Sequence, residues 1–221
     1  MTLLIFDCDG VLVDSEPIAN EILSETLTAL GRPITARECM RTQVGRSLAD
    51  ILHETEALVG HALPGNVAED MNARLFARFR QELRAIAGVA EALAALPGPR
   101  CLASSSRPER IDLALSVTGL ASCFQHRFSA IQVARGKPAP DLFLLAAREM
   151  SATPARAIVI EDSVAGVVAA RAAGMRAVGF VGGGHAAPDL AARLTAAGAE
   201  HVIAEMRDLP ATISRLLPHT A

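Results

Sequence analysis

The amino-acid sequence predicts an α/β protein with a Rossmann-like core, a parallel sheet covered by helices on both faces, and one inserted block of helices. Short apolar runs recur along the chain, helical patterns lie between them, and the alternation is broken once, between about Glu16 and Leu83. Continuous apolar runs mark strands buried on both faces. Strands alternating with helices through short links build parallel sheets.

The first run, TLLIF (2–6), opens the sheet. RCLAS (100–104), ARAIVIE (155–161) and RAVGF (176–180) repeat it, and HRFSA (126–130) and HVIA (201–204) are weaker versions. Helical patterns fill 107–118, 140–150, 163–173 and 187–197. The interruption is helix after helix: PIANEILSETLTAL (17–30), closed by Gly31, then SLADILHETEALVG (47–60) and VAEDMNARLFARFRQEL (67–83). An insert placed directly after the first strand stands at the carboxyl end of the sheet, where α/β proteins bind ligands. The expected division is therefore a core of residues 1–15 and 85–221 and a helical cap of residues 16–84, hinged near Asp14 to Glu16 and Arg84 to Gly88. Helices packed permanently into one domain are the alternative. The Gly- and Ala-rich segment 182–199 reads as a mobile loop leading into a helix.

Composition narrows the function. With 221 residues, 51% hydrophobic and 20% charged, the chain can bury a sizeable core. Aromatic residues are 3%, with no Trp or Tyr, which argues against stacking platforms for single-stranded nucleic acid. A net charge of −3 without any Lys/Arg-rich run argues against nucleic acid and anionic membranes as partners. No apolar stretch reaches membrane-spanning length, and the start, MTLLIFDCDG, lacks the basic flank of a secretion signal. Cys8, Cys39, Cys101 and Cys123 are scattered without zinc-site spacing. The expectation is a soluble cytoplasmic protein with free thiols, a monomer or weak dimer, acting on a small molecule. His61, His126, His185, His201 and His219 show no ligand-like spacing and are assigned no chemistry.

The stretch LLIFDCDGVLVDSE (3–16) sets Asp7 and Asp9 at the end of the first strand. Three readings compete. A solvated acidic turn with Gly10 at the bend explains the pair without function. A calcium loop needs oxygen ligands continuing beyond the glycine, whereas Val11, Leu12 and Val13 follow here. A catalytic pair is the third, since side chains two positions apart on extended chain face the same side. Later features fall where the other strands end. LASSS (102–106) brings Ser104 and Ser105, GKPAPD (136–141) puts Lys137 in a turn held by two prolines, and VIEDSVAG (159–166) brings Glu161 and Asp162 before a helix start. Each alone is explained by a turn, a solvated charge or a helix cap. Together they meet on one rim of the sheet.

In this set the sequence resembles the haloacid dehalogenase superfamily of phosphotransferases, in the helical-cap branch that includes β-phosphoglucomutases and small phosphatases. DCDGVLVDSE is similar to the first family motif, ASSS to the second, GKPAPD to the third and EDSVAG to the fourth. The resemblance implies that Asp7 is a nucleophile forming an aspartyl-phosphate and Asp9 the general acid and base. It implies that Ser104 and Lys137 hold phosphoryl oxygens. Mg2+ would bind through Asp7, the Asp9 backbone carbonyl and Asp162, with Glu161 beside it. QVGRSLADIL (43–52) resembles the substrate-contacting cap loop, which makes Gly45 and Arg46, together with Ser105, substrate-binding candidates, with a solvated surface arginine as the other reading of Arg46.

Departures within the family sort its chemistries. Metal-independent dehalogenases lack the second aspartate and the acidic ligands that this chain has. Phosphonatases use a cap lysine, and Lys137 is the only lysine here. β-Phosphoglucomutases carry a hinge histidine where an ungapped count gives Ala19. The resemblance thus implies a Mg2+-dependent phosphatase acting on a small phosphorylated metabolite. A sugar-phosphate mutase is the alternative, and a non-catalytic ligand-binding relative a further one.

Overall fold

Leu3–Phe6, buried at every position, forms β1, an interior strand in a computed structural model that describes residues 1–43 and 47–217. Arg100–Ser104 (β2), Arg127–Ser129 (β3), Ala157–Glu161 (β4), Arg176–Phe180 (β5) and His201–Ile203 (β6) complete a six-stranded sheet in the order β3-β2-β1-β4-β5-β6. Every pairing is parallel. The chain winds outward from β1 to β3, crosses back to β4 and winds the other way. The reversal falls between β1 and β4, and loops leaving in opposite directions open a crevice at their carboxyl ends. The two outermost strands, β3 and β6, have three residues each and are partly exposed. That is why their apolar runs are weak in the sequence.

Ten α-helices lie among the described residues: α1 (Glu16–Ala29), α2 (Ala36–Thr42), α3 (Leu48–Val59), α4 (Val67–Glu82), α5 (Val89–Ala95), α6 (Pro108–Val117), α7 (Asp141–Glu149), α8 (Val164–Ala172), α9 (Leu190–Ala196) and α10 (Leu209–Leu216). The chain divides into two compact units, Met1–Asp14 with Arg84–Ala221, and Ser15–Leu83. In the first unit, Leu142, Phe143 and Ala146 of α7, Val167 and Ala170 of α8 and Leu194 of α9 pack on Leu3, Ile5, Cys101, Ala103, Val159 and Ala177 of the sheet. In the second, Leu23 and Leu27 of α1 meet Cys39 of α2 and Ile51 of α3. Arg78 of α4 pairs with Glu21 of α1 at 2.8 Å. Among the described residues no helix is long and apolar enough to cross a membrane.

Three of these helices, α2, α5 and α10, were not expected from the apolar pattern. The helix read over 187–197 is confined to Leu190–Ala196, because residues 187–189 form a turn in which Leu190 N donates to Ala187 O at 2.9 Å.

Candidate active site

β1 and β4 run in register, with Phe6 opposite Ile160, and Asp7 N donates to Ile160 O at 3.0 Å, one residue past β1. Asp7 and Glu161 therefore leave the sheet side by side, at the reversal point. Gly10 then turns the chain with φ +79, where a side chain would run into the Asp162 carboxylate. Leu12 N and Val13 N both donate back to Cys8 O, at 2.9 and 3.1 Å. Val11, Leu12 and Val13 are fully buried, and Asp7 is only 7% exposed. The acids thus do not form a solvated turn.

Glu161 is fully buried beneath the first turn of α8. Its Oε2 accepts hydrogen bonds from Ser163 N and Ser163 Oγ, both at 2.9 Å. Ser163 also caps the helix, its Oγ accepting from Gly166 N at 3.0 Å. Gly166 has to be glycine, because a Cβ there would overlap the Glu161 carboxyl group.

Lys137 ties the two strand ends together. Its Nζ donates to Asp7 Oδ1 at 2.7 Å, Glu161 Oε1 at 2.5 Å and Ala103 O at 3.2 Å, which occupies the three donors of an ammonium group. The side chain is 5% exposed, and Nζ lies 5.0 Å from the centre of the Phe143 ring. Burial works against its charge, but Asp7 and Glu161 outweigh burial and hold its pKa above the usual lysine value. Asp7 is in the opposite position. Burial pushes its carboxyl well above the usual range, Lys137 opposes that, and Glu161, Asp162 and Asp9 push it further up.

Asp7, Glu161 and Asp162 each offer an oxygen within 4.8 Å of the others. Three buried carboxylates meet one ammonium, so negative charge is left uncompensated in a low-dielectric pocket. An all-oxygen donor set with that excess suits a hard divalent cation. The residues present fit one.

Asp9 stands apart from this group. Its Oδ2 accepts from Ser106 Oγ at 2.6 Å and its Oδ1 from Arg110 Nη2 at 2.7 Å. Ser104 is buried, and its Oγ accepts from Ser106 N at 3.0 Å. Ser105 is exposed. Asp141, which opens α7, pairs with Arg135 at 2.9 Å. Gly45 and Arg46 lie outside the described residues.

Three side chains at this site had no role assigned from the sequence: Ser106 and Arg110, which hold Asp9, and His185, whose Nε2 lies 2.9 Å from Asp162 Oδ2. Arg110 follows Ser106 by four residues, in the first turn of α6, a spacing that was readable in SSSRPER. His185 had only the glycine run GGGH as a signal.

A parallel sheet that reverses its winding beside a buried carboxylate and lysine cluster defines an α/β enzyme core. The family model of haloacid dehalogenase-like hydrolases matches residues 1–174, and the chain belongs to that family. A 6-phosphogluconate phosphatase of Escherichia coli K12 is 30% identical over 86% of this chain and 87% of its own length. A bifunctional riboflavin kinase/FMN phosphatase of Arabidopsis thaliana is 30% identical over 79% of this chain, which spans about half (47%) of that longer protein. Among solved structures, a haloacid dehalogenase-like protein of unknown function from Agrobacterium tumefaciens is 42% identical, with a TM-score of 0.88 over 98% of this chain and 99% of that one. A HAD family hydrolase from Deinococcus radiodurans, solved with bound phosphate and sodium, is 33% identical, with a TM-score of 0.81 over 97% and 96%.

Proposed function

We propose that this protein is a Mg2+-dependent phosphatase that hydrolyses a small phosphate monoester, a sugar phosphate or related metabolite, through an aspartyl-phosphate on Asp7. The observation that carries the reading is the buried cluster in which Lys137 bridges Asp7 and Glu161, with Asp162 alongside. The relatives named as phosphatases and the phosphate bound in the Deinococcus structure support it. The unit Ser15–Leu83 is read as the cap domain. Four unpaired cysteines fit a reducing, cytoplasmic setting.

The chain's residues divide the work. Asp7 attacks phosphorus in line, forming its own P–O bond as the bond to the leaving oxygen breaks. Asp9, held by Ser106 and Arg110, gives a proton to that oxygen. It then takes a proton from water as the water oxygen attacks phosphorus, the Asp7 P–O bond breaks, and inorganic phosphate leaves. Lys137 holds Asp7 in place beside the incoming phosphoryl oxygens. Asp7, Asp162 and the Asp9 carbonyl would hold Mg2+, with Glu161 beside it. When bound, the ion would supply positive charge that keeps Asp7 ionised and offsets charge on the moving phosphoryl group. Ala19, which offers only a methyl group, counts against transfer to a second sugar hydroxyl.

The test is phosphate release from a panel of sugar and polyol phosphates, with Mg2+ and with EDTA. Release that requires Mg2+ is expected. Full release in chelator, or none from any phosphate ester with Mg2+ present, would overturn the reading.

A further inference from the structure

The loop that follows β5 returns to the cluster of carboxylates. Val181 N still donates to Ile203 O at 2.9 Å, extending the β5–β6 ladder, and the next residues then fold back towards the β1 end. Gly184 N donates to Asp14 Oδ1 at 2.9 Å, and Ala186 N to Gly183 O at 3.0 Å. This fastens the loop at both sides of His185. The imidazole side chain is 8% exposed, and its Nε2 lies 2.9 Å from Asp162 Oδ2. A Cβ added at Gly10 would come 2.8 Å from His185 Cε1, and one at Gly183 would come 3.1 Å from Gly10 O. Two glycines on separate loops thus leave room for one ring against one carboxylate.

An ionised carboxylate only accepts, so the 2.9 Å contact places a hydrogen on His185 Nε2. The terminal torsion of an aspartate is soft and broad. A carboxylate that must present one oxygen to a cation is held by a donor on the other. Lys137 does this for Asp7 Oδ1, whereas Glu161 has both oxygens occupied, Oε1 by Lys137 and Oε2 by Ser163. His185 stands to Asp162 as Lys137 stands to Asp7.

We propose that His185 is a positioning residue for the divalent cation, acting through Asp162, and that the 182–185 loop is thereby part of the metal site. The inference rests on the reading of Asp7, Glu161 and Asp162 as the cation site. Groups that hydrogen-bond metal ligands commonly contribute 10- to 100-fold to metal affinity. His185→Ala should therefore weaken Mg2+ binding by roughly that factor. His185→Gln, whose side-chain nitrogen stands in for Nε2, should recover most of it. At saturating Mg2+ the Ala variant should regain most of its turnover.

The experiment is calorimetric titration of Mg2+ into metal-free wild type, His185→Ala, His185→Gln and Asp162→Asn, with a thermal melt of each in EDTA. The expected order of affinity is wild type, Gln, Ala and Asp162→Asn, with the first three melting alike. If Asp162→Asn loses binding while His185→Ala stays within about twofold of wild type, the role of His185 is wrong and the site stands. If Asp162→Asn or the wild type shows that no Mg2+ binds through Asp162, both readings fall. Equal loss in Ala and Gln, with lowered melting in both, would show a purely structural residue and overturn the proposal.

Discussion

Replacing Lys137 with Met is the sharpest perturbation of the buried cluster. Methionine keeps an unbranched apolar side chain, whose sulfur suits an aromatic neighbour, and removes the ammonium that lies over the Phe143 ring and bonds Asp7, Glu161 and Ala103 O. Breaking a buried ion pair from one side costs about 3–5 kcal/mol, because the surviving charge is left without a partner. Here the surviving charges are carboxylates already crowded together, and Asp7, pushed up by burial, can relieve the strain by taking up a proton. That places the loss near the lower end, about 3 kcal/mol. For a chain of this size each kcal/mol moves the melting temperature by roughly 2–4 °C, which gives a fall of roughly 6–12 °C in EDTA. Differential scanning calorimetry in EDTA and again in Mg2+ measures it, and Mg2+ should raise the variant's midpoint by more than it raises the wild type's. A midpoint within about 2 °C of wild type in EDTA would refute the claim that Lys137 balances a buried excess of charge.

Arg110→Ala should lower kcat roughly 10- to 100-fold with KM little changed, since a hydrogen bond to a charged group contributes about 1.5–3 kcal/mol. A raised KM with unaltered kcat would instead mark Arg110 as a substrate contact and not a support for Asp9. In EDTA, Asp7→Asn should melt at or above the wild-type temperature, because its site disfavours the ionised carboxylate through burial first and its acidic neighbours next. A drop of several degrees would contradict that. Burial pushes the Cys101 thiol up to about 12, so at pH 8 it stays protonated and unreactive. A thiol reagent should modify half-buried Cys123 in the native protein and reach the buried Cys8, Cys39 and Cys101 only after denaturation, as a timed absorbance assay will read.

The interior of the sheet was the most legible part of the sequence. β1 and β4 are buried at every position, so their apolar runs are unbroken. The edge strands β3 and β6 carry partly exposed residues, and their signal fades accordingly. The short helix α2 buries only Cys39, too little for a periodic stripe, although Thr35 and Glu38 form a capping box that was readable as a helix start. Asp7, Lys137, Glu161 and Asp162 stand out because each sits where a strand or its following turn must end. His185 does not, because its partner Asp162 follows the neighbouring strand β4 and only the fold of the loop after β5 brings the two together. Spacing along the chain carries no trace of such a contact.

The most direct measurement is to trap the covalent intermediate. A substrate that the panel identifies, labelled with radioactive phosphate, is mixed with enzyme and Mg2+ and quenched in acid within the first turnovers. The wild-type chain should carry label, located on the peptide containing Asp7 and released by hydroxylamine as an acyl phosphate should be. Asp7→Asn should carry none. Steady phosphate release from wild type with no labelled chain at any quench time, or equal labelling of Asp7→Asn, would rule out an aspartyl-phosphate on Asp7.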